Sequence, residues 1–249
     1  MIVENTSTQE NTTIKALVYG LSGTGKTTSA GTLQGKTLII SCESGLMPLM
    51  GKSIDVLDIS RSAPDKEGKR TVLTDPAARI ARLSEIFKWI HEGALDKSGK
   101  PSGYVNVFVD SLTEISELLI QKLNKEFPDR KDSFPMWGEY SKIMRSIVKN
   151  FRDLPVNVFM TVLAKPDKDD VGKRYMGFDV SGSIGDKLPQ YFDLVLYIHV
   201  DSERKRTFIT GSTDTLMCKD RSNKLLPQEP VDLGVIASKI LIKQEKETK

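Results

Sequence analysis

The stretch "GLSGTGKTT" occupies residues 20–28. Gly20, four intervening residues, and then Gly25, Lys26 and Thr27 have the spacing of a phosphate-binding loop. Such a loop needs backbone N–H groups that turn inward, and its glycines allow backbone conformations that a Cβ would block. The segment from Gly20 through Ser22, Gly23, Thr24 and Gly25 to Lys26, Thr27 and Thr28 is therefore expected to cradle a nucleotide's phosphates. Lys26 is expected to reach the β- and γ-phosphates, and the Thr27 hydroxyl to bind Mg²⁺. The flanks fit. "IKALVYG" (14–20) reads as a short buried strand entering the loop, and "KTTSAGTLQG" (26–35) as the helix leaving it.

Outward from the loop, apolar runs rich in β-branched residues alternate with helical patterns. "TLIISC" (37–42), "IDVLDI" (54–59), "YVNVFVD" (104–110), "VNVFMTVL" (156–163) and "FDLVLYIHV" (192–200) read as strands. Residues 75–93 read as a helix capped by Asp75 with Pro76 in its first turn, and Ile80, Leu83, Ile86, Phe87 and Ile90 form its apolar face. Residues 111–127 read as a second helix, with Ser111 and Glu114 spaced as a capping box, and 136–154 as a third. This alternation predicts an α/β fold: a mostly parallel sheet with helices on both faces. Near the end, "RKRTFITG" and "DTLMCKD" suit a C-terminal β-hairpin, and "LGVIASKILIKQ" a closing helix. The expected organisation is a polar N-terminal tail (1–13) and a single domain (14–245).

The chain has 249 residues, a formal net charge of +3, two cysteines and two histidines. Cys42 and Cys218 do not make a disulfide framework, and both read as small buried residues of strands. With so few histidines, a structural zinc site is not expected. No apolar run approaches the roughly 18 residues a membrane span needs, and the polar start "MIVENTSTQENTT" lacks the features of a signal peptide. The expectation is a cytoplasmic protein with no membrane partner. The weak positive charge permits nucleic-acid binding without arguing for it.

Two carboxylates extend the site. Asp110 ends an apolar strand, and in open α/β sheets ligands bind at the carboxyl ends of strands. It suits either a magnesium ion held opposite Thr27 or the cap of the next helix, and the phosphate loop favours the metal role. The next residue is Ser111, so the base that motor ATPases often carry there must come from another strand end or be absent. Glu43, after "TLIISC", is the candidate to deprotonate an attacking water, with capping of the following turn as its other reading.

At these residues the chain resembles RecA-type recombinases. "TLIISCESGLMPL" resembles their strand-plus-glutamate, "VFVDSLTEI" their magnesium strand, and "CKDRSNK" (218–224) their late basic motif. The likeness extends over about residues 14–230 and is nearest to the phage-encoded, core-only RecA-like ATPases associated with recombination and single-strand annealing. It implies a RecA-like P-loop NTPase core using ATP and Mg²⁺, with Glu43 as general base. It also implies that Lys219 and Arg221 stabilise charge at a neighbouring subunit's nucleotide, and that Thr161 senses the γ-phosphate. The resemblance covers the recombinase core alone, so the expected self-association, as a ring or filament, would use the core.

The segments matching the axial loops of such assemblies are 127–138 and 165–190. The second is long, Gly-rich and without obvious secondary structure. Arg130, Lys131, Trp137, Lys168, Lys173, Arg174 and Tyr175 mix cations with aromatics, a pattern that suits phosphates and stacked bases of single-stranded DNA. Interleaved aspartates weaken that field, and a solvated loop is the other reading. A single-strand-binding protein would be a partner of such an assembly. Two other functions share the loop and Asp110: a small-molecule kinase and a non-catalytic, nucleotide-gated scaffold. A GTP switch does not fit, because "NKLL" (223–226) has Leu226 where guanine recognition needs an aspartate.

Overall fold

The computed structural model describes residues 13–43, 45–96, 98–128, 134–168 and 171–241. The tail expected over 1–13 falls outside them except for its last residue, as do the candidates Arg130 and Lys131. Strands are β1 (Lys15–Gly20), β2 (Thr37–Ser41), β3 (Asp55–Asp58), β4 (Asn106–Asp110), β5 (Asn157–Lys168), β6 (Arg174–Phe178), β7 (Leu194–Val200), β8 (Arg206–Ile209), β9 (Lys219–Asp220) and β10 (Gln228–Pro230). Helices are α1 (Lys26–Ala30), α2 (Pro76–His91), α3 (Leu112–Glu126), α4 (Phe134–Arg152), α5 (Ile184–Lys187) and α6 (Leu233–Leu241).

Six strands run parallel in the order β3-β2-β4-β5-β1-β7, and β8 and β10 extend the sheet antiparallel beyond β7. β1, β2 and β4 are buried along almost their whole length because both faces of the sheet are covered. Side chains alternate between the two faces. Leu17, Leu38, Val107 and Val158 pack with Ile80, Ile115, Tyr140 and Met144 of α2, α3 and α4. Ala16, Ile39, Phe108 and Phe159 pack on the other face with Ala30, Leu233, Ile236 and Ile240 of α1 and α6. The same alternation assigns Asp110, two residues after Phe108, and Thr161, two after Phe159, to the face that carries α1.

The helices begin where their caps lie. Asp75 accepts a hydrogen bond from the Ala78 N–H, and Ser111 from the Glu114 N–H. The capping box at Ser111 is half formed, because Glu114 turns to Arg79, 3.5 Å away, instead of reaching back. α1 is shorter than its sequence pattern predicts and stops at Gly31.

Two expectations are corrected. Residues 165–190 are not an irregular loop. β5 continues to Lys168 and pairs with β6 as an antiparallel hairpin, with Ala164 opposite Phe178 and Lys168 opposite Arg174. α5 and a 3₁₀ turn over Leu188–Tyr191 follow. Phe178, Val180, Ile184 and Leu188 are buried in the core, which anchors a segment whose glycines and aspartates read as open chain. Nor does "RKRTFITG" pair with "DTLMCKD". β8 forms its hairpin with β7, with Val200 opposite Arg206, while β9 lies against the start of β7.

Candidate functional site

The parallel register aligns strand ends. Val18 stands beside Thr161, Gly20 beside Leu163, and Ser41 beside Asp110. β1 carries the phosphate loop, and β5 lies between β1 and β4, so Thr161 sits between the loop and Asp110.

The loop is held from within. Gly25 caps α1 in the left-handed conformation at φ 102°, and Gly23 has φ 76°. A Cβ at Gly20 would meet Thr24 Oγ1 at 2.8 Å and the Ile198 carbonyl at 3.2 Å, so only glycine fits where the strand becomes the loop. Thr24 Oγ1 donates to the Leu21 carbonyl at 2.9 Å. Lys26 is 9% exposed, and its Nζ donates to the Gly20 and Leu21 carbonyls, each at 2.9 Å. Burial lowers its pKa, while the charges of Asp110 and Glu43 act to raise it. A cation so enclosed, with its hydrogen bonds spent on neutral carbonyls, suits a strongly anionic ligand. Ser22, Gly23 and Thr28 are exposed along the same loop.

Asp110 is buried, and both its oxygens are engaged. Oδ2 accepts from Thr27 Oγ1 at 2.6 Å, and Oδ1 accepts a short hydrogen bond from Thr161 Oγ1. Thr27 and Asp110 thus place two hard oxygen donors side by side. That set fits Mg²⁺, which takes few protein ligands and completes its shell with water and phosphate oxygens. Among the described residues no group of three His, Cys, Asp or Glu side chains forms a metal cluster.

Glu43 is exposed beside this pair and accepts a short hydrogen bond from Ser111 Oγ. The same hydroxyl accepts from the Glu114 N–H at 3.4 Å. Ser111 therefore caps α3 and ties the candidate base to that helix at once, although its sequence position suggested only the cap. Behind Glu43 opens a polar cavity of about 360 Å³ lined by Cys42, Arg79, Thr113, Glu114, Glu117 and Leu163. Burial and the charge of Glu117 raise the Glu114 carboxyl, and Arg79 opposes them. Cys42 is enclosed, and burial pushes its thiol well up.

The remaining candidates lie apart. Lys168, Lys173, Arg174 and Tyr175 gather on the β5–β6 hairpin, where Lys173 pairs with Asp214 at 3.3 Å. Trp137 packs edge-on against Tyr140, ring centroids 5.6 Å apart, and lies over Gly182. Lys219 and Arg221 sit at the amino-terminal end of β7, since Val195 stands opposite Lys219 and Leu194 beside Ala16. That is the end of the sheet away from the phosphate loop. Lys219 Nζ donates to the Pro189 and Phe192 carbonyls, each at 2.7 Å, and Arg221 pairs with Asp193 at 3.3 Å. Neither reaches the loop of its own chain.

A parallel sheet, a glycine cradle with a buried lysine, and a threonine–aspartate pair at the strand ends define a P-loop NTPase. The AAA domain family model matches residues 12–222, and the chain belongs to that family of ATPases. No curated protein matches the sequence. One solved structure similar to it is an ATPase from the type III secretion system of pathogenic bacteria, at TM-score 0.46 and 14% identity, covering 75% of this chain and 51% of that one. The chain thus spans about half the length of that ATPase. No helix among the described residues is long and apolar enough to cross a membrane.

Proposed function

We propose that the chain is a Mg²⁺-dependent, RecA-like ATPase that acts on single-stranded DNA in phage recombination or annealing, self-assembled so that nucleotides lie between subunits. The observation that carries this reading is the path of β5. It runs unbroken from Thr161, hydrogen-bonded to Asp110, to Lys168, where the hairpin presents Lys168, Lys173, Arg174 and Tyr175. One rigid strand of 12 residues thus joins a γ-phosphate-side group to a cationic, aromatic tip. Such a tip suits a phosphate backbone and stacked bases. Phe134 and Trp137 at the start of α4 add exposed aromatic surface.

In hydrolysis, Glu43 takes a proton from the attacking water as its oxygen bonds to the γ-phosphorus. The bond from that phosphorus to the β–γ bridging oxygen breaks, and the electron pair leaves on ADP. Lys26 and the loop N–H groups hold the phosphates in line. Mg²⁺ held by Thr27 and Asp110 would supply neutralisation of phosphate charge. Ser111 orients the Glu43 carboxylate, and Thr161 fixes Asp110.

The test is phosphate release with and without single-stranded oligonucleotide. A several-fold rise on adding DNA supports the reading, and turnover indifferent to DNA overturns its DNA part. Phosphoryl transfer to a small acceptor is a second reading, favoured by the polar cavity beside Glu43. Appearance of a phosphorylated acceptor in the same assay would establish it instead.

A further inference from the structure

Arg206 begins β8, directly after the turn from β7, and its side chain folds back over the phosphate loop. Its Cδ, Nε and Cζ each lie 3.4 Å from the position a Cβ would take on Gly25. The guanidinium end of the side chain thus lies against Gly25, immediately before Lys26. No hydrogen bond or ion pair holds the Arg206 side chain among the described residues, whereas Lys26 is held by loop carbonyls and Arg221 by Asp193. An arginine in contact with a phosphate cradle, with its donors unspent, is a cation placed for an anion.

The sheet order shows which part of the nucleotide Arg206 meets. Asp110, Thr161 and Glu43 belong to β4, β5 and the end of β2, all on one side of β1. β7 and β8 lie on the other side. With the γ-phosphate directed at Glu43 and Asp110, the α-phosphate and nucleoside leave the loop toward β8. This step rests on the ATPase reading given above.

We propose that Arg206 is a nucleotide-binding residue, holding the α-phosphate of the bound nucleoside di- or triphosphate from the same subunit that supplies the loop. Its donors match the paired oxygens of a phosphate. It meets the substrate at the end away from the reacting bond, so it contributes to binding in the ground state and the transition state alike.

The test is calorimetric titration of the whole chain with ADP, ATP and inorganic tripolyphosphate. It compares wild type with Arg206→Ala, Arg206→Lys and, as a control for net charge, Arg204→Ala in the adjoining turn. Thermal melting of each variant confirms folding. The proposal expects Arg206→Ala to weaken all three ligands about tenfold, Arg206→Lys to recover most of the loss, and Arg204→Ala to bind nearly as wild type. Equal losses for Arg206→Ala and Arg204→Ala would reduce Arg206 to long-range charge and overturn the assignment. Weakened ADP with unchanged tripolyphosphate would move its contact to ribose or base, and overturn the phosphate role. Wild-type protein that binds none of the three would overturn the reading of the loop itself, a failure distinct from that of Arg206.

Discussion

Thr27 and Asp110, 83 positions apart in the chain, meet in a hydrogen bond of 2.6 Å. α1 places the threonine at the mouth of the loop, and the end of β4 brings the aspartate to it across β5. The bond sets two hard oxygens side by side, and Thr161 anchors the second aspartate oxygen from the intervening strand. Such positioning lowers the ordering cost of binding.

Asp110→Asn tests this pair. The amide presents a donor toward one of two hydroxyls that now donate to a carboxylate, and it removes the charge that the proposed magnesium site needs. Nucleotide affinity in the absence of magnesium should stay within about twofold, while magnesium-dependent turnover falls about a hundredfold or more. Turnover and the half-saturating magnesium concentration report the outcome. An unchanged magnesium requirement would remove Asp110 from the metal site.

Ser111 donates a hydrogen bond to Glu43. Ser111→Ala removes the donor to the Glu43 carboxylate together with the cap of α3. Loss of a cap costs about 1 kcal/mol of stability. If Ser111 also orients the base, kcat drops about tenfold with KM nearly unchanged, whereas Glu43→Gln lowers kcat about 10²–10⁴-fold. Ser111→Thr, which keeps both roles, should recover most of the turnover. A Ser111→Ala enzyme that is less stable yet fully active would leave the serine as a cap alone.

The parts of the site that were legible from sequence are those fixed by local spacing. The loop from Gly20 to Thr28 is contiguous, and Asp110 and Glu43 stand at the ends of apolar runs that read as strands. The β5–β6 hairpin was not legible. Pro166 and the aspartates that follow look like an end to β5, yet Phe178 and Val180 bury themselves in the core and pull the return strand into place. The pairing of β8 with β7 and the approach of Arg206 to Gly25 depend on which distant segment covers an edge, and no local pattern encodes that. Lys219 shows the same limit: the resemblance implies a role at a neighbouring subunit's nucleotide, and nothing in its local sequence reveals that the carbonyls of Pro189 and Phe192 hold its Nζ.

Lys15 gives a pH dependence. Its Nζ donates to the Leu154 and Val156 carbonyls at 2.6 and 2.5 Å. Burial pushes its pKa down to about 8, against the upward pull of Asp193 and Asp153. In the unfolded chain it returns to the ordinary value of 10.5. Between these values the unfolded state binds the proton and the folded state does not, so this residue makes stability rise with pH from about 8 toward 10.5. Denaturant unfolding at several pH values should show wild type gaining on Lys15→Met across that window. A constant difference between the two would mean that Lys15 titrates normally in the folded protein.

Arg221 provides the test of assembly. It lies at the end of the sheet opposite its own loop and is about half exposed, with Asp193 its partner. Lys219 is tied into its own chain, so Arg221 is the cation better able to swing toward a neighbour. If it stabilises the transferring phosphoryl group across a subunit boundary, Arg221→Ala and Lys26→Ala proteins should each be nearly inactive. In an equal mixture, about a quarter of head-to-tail interfaces would pair an intact loop with an intact arginine. Turnover should then recover toward that fraction of wild type, and only at concentrations where the chains associate. Arg221→Ala with full activity, or a mixture no more active than its parts while light scattering shows co-assembly, would exclude a shared site.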